Sequence, residues 1–187
     1  MRKKILLVTL GFVCACSAFL YAADNGKNSF WKDWSWINPF GKAYDYNDIL
    51  VTYVVDGDTL RLEDGERVRL IGIDTPEVHE SAKLYRDSQR TGTDTKMIIR
   101  LGKKASSFTR NLVEGKRVKL EFDVEKRDKY NRLLAYVYLP DGTLVNAKIV
   151  EEGYASLMTI PPNVKYSNLF LSLYREARLK KKGLWRD

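Results

Sequence analysis

The sequence predicts a β-barrel with helices: a five-stranded barrel of the OB type with about three α-helices, over residues 48–187. Three observations carry that expectation. Two Asp-Gly turns, Asp56-Gly57 and Asp64-Gly65, lie between apolar runs, and Asp-Gly in that setting is the strongest short hairpin signal. A helical pattern follows the third run, and two more β-rich runs follow the helix. Five short strands with a helix between the third and the fourth is the order such a barrel requires.

Ile49–Val55 is rich in β-branched and apolar residues and reads as the first strand. Thr59–Leu62 and Arg67–Ile73 complete a three-stranded meander. Lys103–Glu114 places Ala105, Phe108, Leu112 and Val113 on one helical face and stops at Gly115. Arg117–Val124 and Leu133–Leu139 are the fourth and fifth strands. Leu144–Glu152 is a short helix ended by Gly153. The final helix, Ser167–Lys182, aligns Phe170, Leu173, Tyr174 and Ala177 along one side and closes at Gly183. Between Glu77 and the first helix, Val78–Leu101 carries Lys83, Arg86, Arg90, Lys96 and Arg100 and reads as a solvated mobile loop in preference to a basic segment that steers a strand into the site. His79, at its start, reads as a surface residue.

Ahead of the barrel, residues 1–23 carry Arg2, Lys3 and Lys4 followed by an uncharged run from Ile5 to Ala23. A basic start before an apolar stretch is the pattern of an export signal. Its length also suits an uncleaved membrane anchor, and Val13-Cys14-Ala15-Cys16 resembles a lipoprotein signal acylated at Cys16. The expected location is therefore extracytoplasmic: secreted, anchored or lipidated. Residues 24–47 form an aromatic arm with Phe30, Trp31, Trp34, Trp36, Phe40, Tyr44 and Tyr46. Such a cluster either lies at a membrane surface, giving membrane association through residues 1–47, or packs against the barrel.

Composition narrows the chemistry. The 187 residues have a formal net charge of +8, and removing the three cations of the first segment still leaves +5. A basic domain favours polyanionic partners, nucleic acid among them. Both cysteines, Cys14 and Cys16, lie in the export segment, and His79 is the only histidine. A disulfide framework and a zinc cluster are thereby excluded from residues 48–187. Catalysis there must use carboxylates and arginines, with or without a hard metal ion.

The acids and arginines needed for this lie in four stretches: Val55–Thr59, Val68–Leu70, Ile73–Glu77 and Asp128–Arg132. Asp58 starts the second strand and Asp74 follows the third, so antiparallel pairing brings both to one end of the hairpin. Asp56 and Glu77 fall on the same edge. Each Asp alone reads as a turn residue. Four acids together call for a positive charge between them, and a set of oxygen ligands suits calcium. Arg69 lies in a strand apolar on both sides and needs an anionic partner, either a nearby carboxylate or a substrate phosphate. Arg132 supplies a second guanidinium fork, and two forks facing a metal suit a phosphodiester.

The ordered motifs D-G-D-T, V-R-L-I-G-I-D-T-P-E and D-K-Y-N-R-L-L-A-Y-V-Y resemble the staphylococcal (micrococcal) nuclease family. Leu144-Val145-Asn146, Glu152-Gly153-Tyr154-Ala155 and Gly183-Leu184-Trp185 extend the resemblance across 48–187. It implies a calcium-dependent endonuclease acting on DNA or RNA and leaving 3′-phosphates, with a monomer expected. Asp58, Asp74 and the carbonyl of Thr75 match the metal ligands, and Asp56 matches an outer-shell acid. Glu77 matches the general base, Arg69 and Arg132 the phosphate clamps, and Lys129 and Tyr130 the contacts to a flanking phosphate. The family's base-stacking tyrosines have no counterpart in Ser156–Pro162, which lacks an aromatic. Two other functions are open to such a chain. One is a catalytically silent nucleic-acid-binding module; the other is an envelope-associated interaction domain.

Overall fold

The computed structural model describes residues 45–186; residues 1–23, expected to direct export, and the expected arm up to residue 44 lie outside them. Alternation builds the first hairpins. In β1 (Ile49–Asp56), Ile49, Val51 and Val54 are buried while Thr52 and Tyr53 face out. β1 pairs antiparallel with β2 (Thr59–Leu62), with register shifts after Val51 and Val54 that bend the strand. β2 pairs antiparallel with β3 (Arg67–Leu70), setting Thr59 opposite Arg69 and Leu60 opposite Val68.

The third strand is shorter than the pattern implies. Gly72 adopts φ +84°, which breaks the run after Leu70. The chain resumes as β4 (Gly72–Asp74), outside the barrel, and pairs antiparallel with β7 (Ser156–Met158), a strand too short to read from sequence. A side chain at Gly72 would sit 2.6 Å from the Phe170 ring, so packing and backbone both require glycine here.

The stretch expected to be a mobile loop is largely helical. α1 (Ala82–Thr91) starts at Ser81, whose hydroxyl accepts from the Leu84 amide at 3.0 Å, and ends at the left-handed Gly92. It buries only Leu84 among polar residues, so it carries almost no apolar periodicity. α2 spans Thr95–Val113, two turns earlier than Lys103. Its buried side is Ile98, Gly102, Ala105, Ser106, Thr109 and Val113, a face of mostly small or polar residues that hides a helical period from hydropathy.

β5 (Arg117–Glu121) and β6 (Leu133–Tyr138) close the barrel in the order β1-β2-β3-β6-β5. The β3–β6 pair is parallel, with Arg69 beside Leu134; the other pairs are antiparallel. α3 (Val145–Glu151) and α4 (Ser167–Leu179) follow, then a 3-10 turn at Gly183–Trp185. The described residues thus hold four α-helices around the five-stranded OB barrel, one more than expected. Val51, Leu60, Val68, Leu70, Leu133 and Ala135 are among the residues of the buried core. Asn146, fully buried, locks α3 to the barrel: its amide donates to Ile71 O at 2.9 Å and accepts from Val137 N at 3.0 Å. Tyr46, the last aromatic of the arm, packs edge-on against Phe122 with centroids 5.6 Å apart.

Candidate active site

The β1–β2 turn supplies the first acids. Asp56 Oδ1 accepts from the Asp58 amide at 3.1 Å, the local bond that makes aspartate a turn former. Asp58 is 3% exposed. Its Oδ2 accepts from the Thr75 amide at 2.8 Å and the Thr75 hydroxyl at 2.9 Å, and its Oδ1 from the Thr59 hydroxyl at 3.1 Å. Gly57 lets the turn lie against Thr75, where any Cβ would come within 2.7 Å of that side chain. Thr109 on α2 donates to Gly57 O at 2.8 Å and fixes the turn from below.

The second acid group sits where β4 leaves the barrel. Asp74 pairs with Ser156 in register, and the Ser156 hydroxyl donates to its carbonyl at 3.1 Å. Beyond it, Thr75-Pro76-Glu77 runs directly over α2 at Gly102. A Cβ at Gly102 would lie 2.3 Å from Glu77 O and 2.6 Å from Pro76 O. An isolated glycine in mid-helix signals such a close approach.

Arg69 joins the two groups. Its strand position, between Thr59 on β2 and Leu134 on β6, sends the side chain out of the core toward both acids. The guanidinium pairs with Asp58, pairs with Asp74 Oδ1 at 2.9 Å, and donates to Ile73 O at 3.2 Å. Of the two partners open to it, the structure supplies the carboxylate. Burial draws the Arg69 pKa down against the pull of Asp74 and Asp56, yet a guanidinium stays charged throughout the working pH range. Burial likewise pushes Asp56 above the ordinary aspartate value, opposed by Arg69, the Thr59 hydroxyl, Lys83 and Arg132.

Glu77 is held by the start of α1. The Ser81 hydroxyl donates to Oε2 at 3.3 Å, and Lys83 Nζ lies 3.1 Å from Oε1. Lys83 also contacts Asp74 Oδ1 at 2.9 Å and Thr75 O at 3.3 Å. Burial works against its charge, but Asp74 and Glu77 outweigh it and hold its pKa above the ordinary value. The sequence pattern gives no hint of these contacts, because it leaves Lys83 in a loop; a helix started from the Ser81 cap would have placed it beside Glu77.

The β5–β6 loop forms the facing wall. Asp128 accepts from the Tyr130 and Arg132 amides at 2.9 and 3.0 Å, and Asn131 turns the chain at φ +61°. Arg132 Nε donates to Asp128 Oδ2 at 2.8 Å, and its terminal nitrogen lies 2.7 Å from the same oxygen. Despite its partial burial, Asp128 is held below the ordinary aspartate value by the Arg132 amide and guanidinium. Tyr130 is 62% exposed, with Lys129 Nζ 5.1 Å and the Arg132 guanidinium 5.5 Å from its ring centre.

These segments enclose one cleft of about 710 Å³ lined by Asp56, Asp58, Arg69, Asp74, Thr75 and Glu77 together with Lys129, Tyr130 and Arg132. Every residue singled out in the sequence for chemistry lines it. Lys83, Arg86 and Arg90 border it from α1, and Met158 and Ile160 line it where stacking aromatics are missing. His79 is exposed and outside it. Among the described residues no group of three or more His, Cys, Asp or Glu side chains forms a metal cage by itself. The oxygens that fit a hard cation here are two carboxylates and a carbonyl, which contact Arg69 and Lys83.

A family model described as "Staphylococcal nuclease homologue" matches residues 67–187. The chain is 37% identical over 186 residues to a thermonuclease of Staphylococcus intermedius, covering 98% of each. It is 33% identical over 198 residues to an uncharacterized protein of Methanocaldococcus jannaschii, covering 99% of this chain and 95% of the relative. A prophage-derived endonuclease of Bacillus subtilis is 34% identical over 143 residues, covering 74% of this chain and 44% of that protein.

Proposed function

Because the chain belongs to the staphylococcal nuclease family, we propose that it is a calcium-dependent nuclease that hydrolyses phosphodiesters in DNA or RNA by attack of an activated water. Its relatives include a thermonuclease and an endonuclease, which supports phosphodiester hydrolysis. The observation that carries the reading is the cleft itself. It gathers the acids Asp56, Asp58, Asp74 and Glu77 with the guanidinium groups of Arg69 and Arg132 around one space.

The family resemblance suggests the roles, and the gathering of these residues in one cleft supports them. Asp58, Asp74 and the Thr75 carbonyl would hold the ion, with Asp56 adjusting the field through the Asp58 turn. Bound there, a divalent cation supplies Lewis acidity and neutralises charge on the phosphate. Glu77 accepts the proton of the attacking water. Arg69, already 2.9 Å from Asp74, and Arg132 across the cleft donate to the equatorial oxygens as charge builds on them. Asp128 preorganises the Arg132 fork so that substrate does not have to order it. Lys129 and Tyr130 take the neighbouring phosphate. With Met158 and Ile160 in place of stacking aromatics, base preference should be weak.

The test is an end-labelled single-stranded DNA or RNA incubated with the protein. Chelator should abolish cleavage, calcium should restore it, and the fragments should carry 3′-phosphates. Salt-sensitive binding without cleavage at saturating calcium would instead identify a binding module. Export rests on Arg2-Lys3-Lys4 and the uncharged run behind them, and the protein should fractionate outside the cytoplasm.

A further inference from the structure

Lys83 stands where a cation is wanted. Its ammonium lies 2.9 Å from Asp74 Oδ1, 3.1 Å from Glu77 Oε1 and 3.3 Å from Thr75 O. Three oxygens from the exit of β4 therefore converge on one positive centre. Two of them are oxygens the proposed function gives to the metal, and the third belongs to the proposed base. An ammonium and a divalent ion compete for those oxygens, since two cations at contact distance repel strongly in a partly buried site.

The lysine is also well placed to leave. α1 is fixed behind it by the Ser81 cap and by Leu84, which is fully buried. The Lys83 side chain itself remains 30% exposed. It can swing into solvent without unfolding the helix.

We propose that Lys83 is a tethered stand-in for the metal, displaced when calcium binds, and that it sets the calcium concentration at which the site fills. The inference rests on the calcium reading above. A cation attached to the chain is present at high effective concentration, so a free monovalent ion gains nothing by replacing it. A divalent ion gains, because its attraction to Asp58 and Asp74 is doubled. The metal's apparent affinity is then scaled down by the fraction of time the ammonium is away. Lys83 is a specificity-determining residue here; it takes no part in the bond changes.

The experiment is calorimetric titration of calcium into the metal-free full chain, for wild type, Lys83→Met and Arg86→Met. Arg86 borders the same cleft from the next turn of α1 without touching those oxygens, and it controls for the simple loss of one charge. Lys83→Met should bind calcium about five- to tenfold more tightly than wild type, while Arg86→Met should change by about twofold or less. In chelator, Lys83→Met should melt below wild type, because Asp74 and Glu77 lose their counter-charge, and it should gain more in melting temperature from saturating calcium. Lys83→Gln should behave alike, which guards against a folding defect peculiar to methionine. Equal calcium affinity in wild type and both Lys83 variants would overturn the inference and leave the calcium site standing. An equal gain in Arg86→Met would overturn it too. Failure of calcium to bind any of these proteins at millimolar concentration would overturn the calcium reading and this inference together.

Discussion

At the scale of single residues, Arg69 decides the most. Its side chain is only 12% exposed, on the face of β3 opposite Val68 and Leu70, and its fork reaches Asp58 and Asp74 at once. Arg69→Lys replaces a planar fork by a point charge that reaches one acid. Cleavage should fall by about two to three decades, and the melting temperature in chelator should drop, as measured by assay and thermal melt on the same sample. Asp128 gives a pH prediction. Its folded pKa lies below the ordinary aspartate value, so its stabilisation is complete above the unfolded value and is lost as pH falls through the folded one. The window is acid, below about pH 4. A carboxyl NMR titration should place the Asp128 midpoint below that of an unfolded-chain aspartate, with Arg132 losing order over the same range.

At the scale of elements, Gly102 and Asn146 hold the acid-bearing segments in place. Gly102→Ala would drive a methyl into the Pro76 and Glu77 carbonyls. Overpacking of that kind costs about 1–3 kcal/mol, and because it displaces Glu77 it should lower turnover more than substrate affinity in steady-state kinetics. Asn146→Ala would leave Ile71 O and Val137 N buried without partners, a loss of about 3 kcal/mol measurable by denaturant unfolding. The five barrel strands and the last two helices were legible because their apolar positions keep a clean period of two or near four. That Asp56, Asp58, Arg69, Asp74, Glu77 and Arg132 would come together in one cleft was legible through motif order and hairpin geometry. α1 and the first turns of α2 were not, for a physical reason: α1 buries one leucine, and the inner face of α2 is built from Gly, Ser and Thr so that it can approach the Thr75–Glu77 backbone. Hydropathy reads burial, and these faces pack through smallness. The break at Gly72 is not legible in the local pattern because the reason for it, the Phe170 ring, lies 98 residues further along the chain.

At the scale of the whole molecule, the chain is basic, at +8 over 187 residues, and its cleft is lined by cations of both α1 and the β5–β6 loop. Binding of single-stranded DNA should therefore weaken steeply with salt, and Lys129→Ala should lower the slope of log affinity against log salt by about one phosphate contact. Fluorescence anisotropy in chelator reads this apart from cleavage. The central claim is that these charges perform a reaction as well as bind a strand, and Glu77 separates the two. The most direct measurement is the single-turnover cleavage rate of Glu77→Gln at saturating calcium and saturating single-stranded DNA. The rate should fall by about two to four decades with binding retained; a rate close to that of wild type would contradict the account.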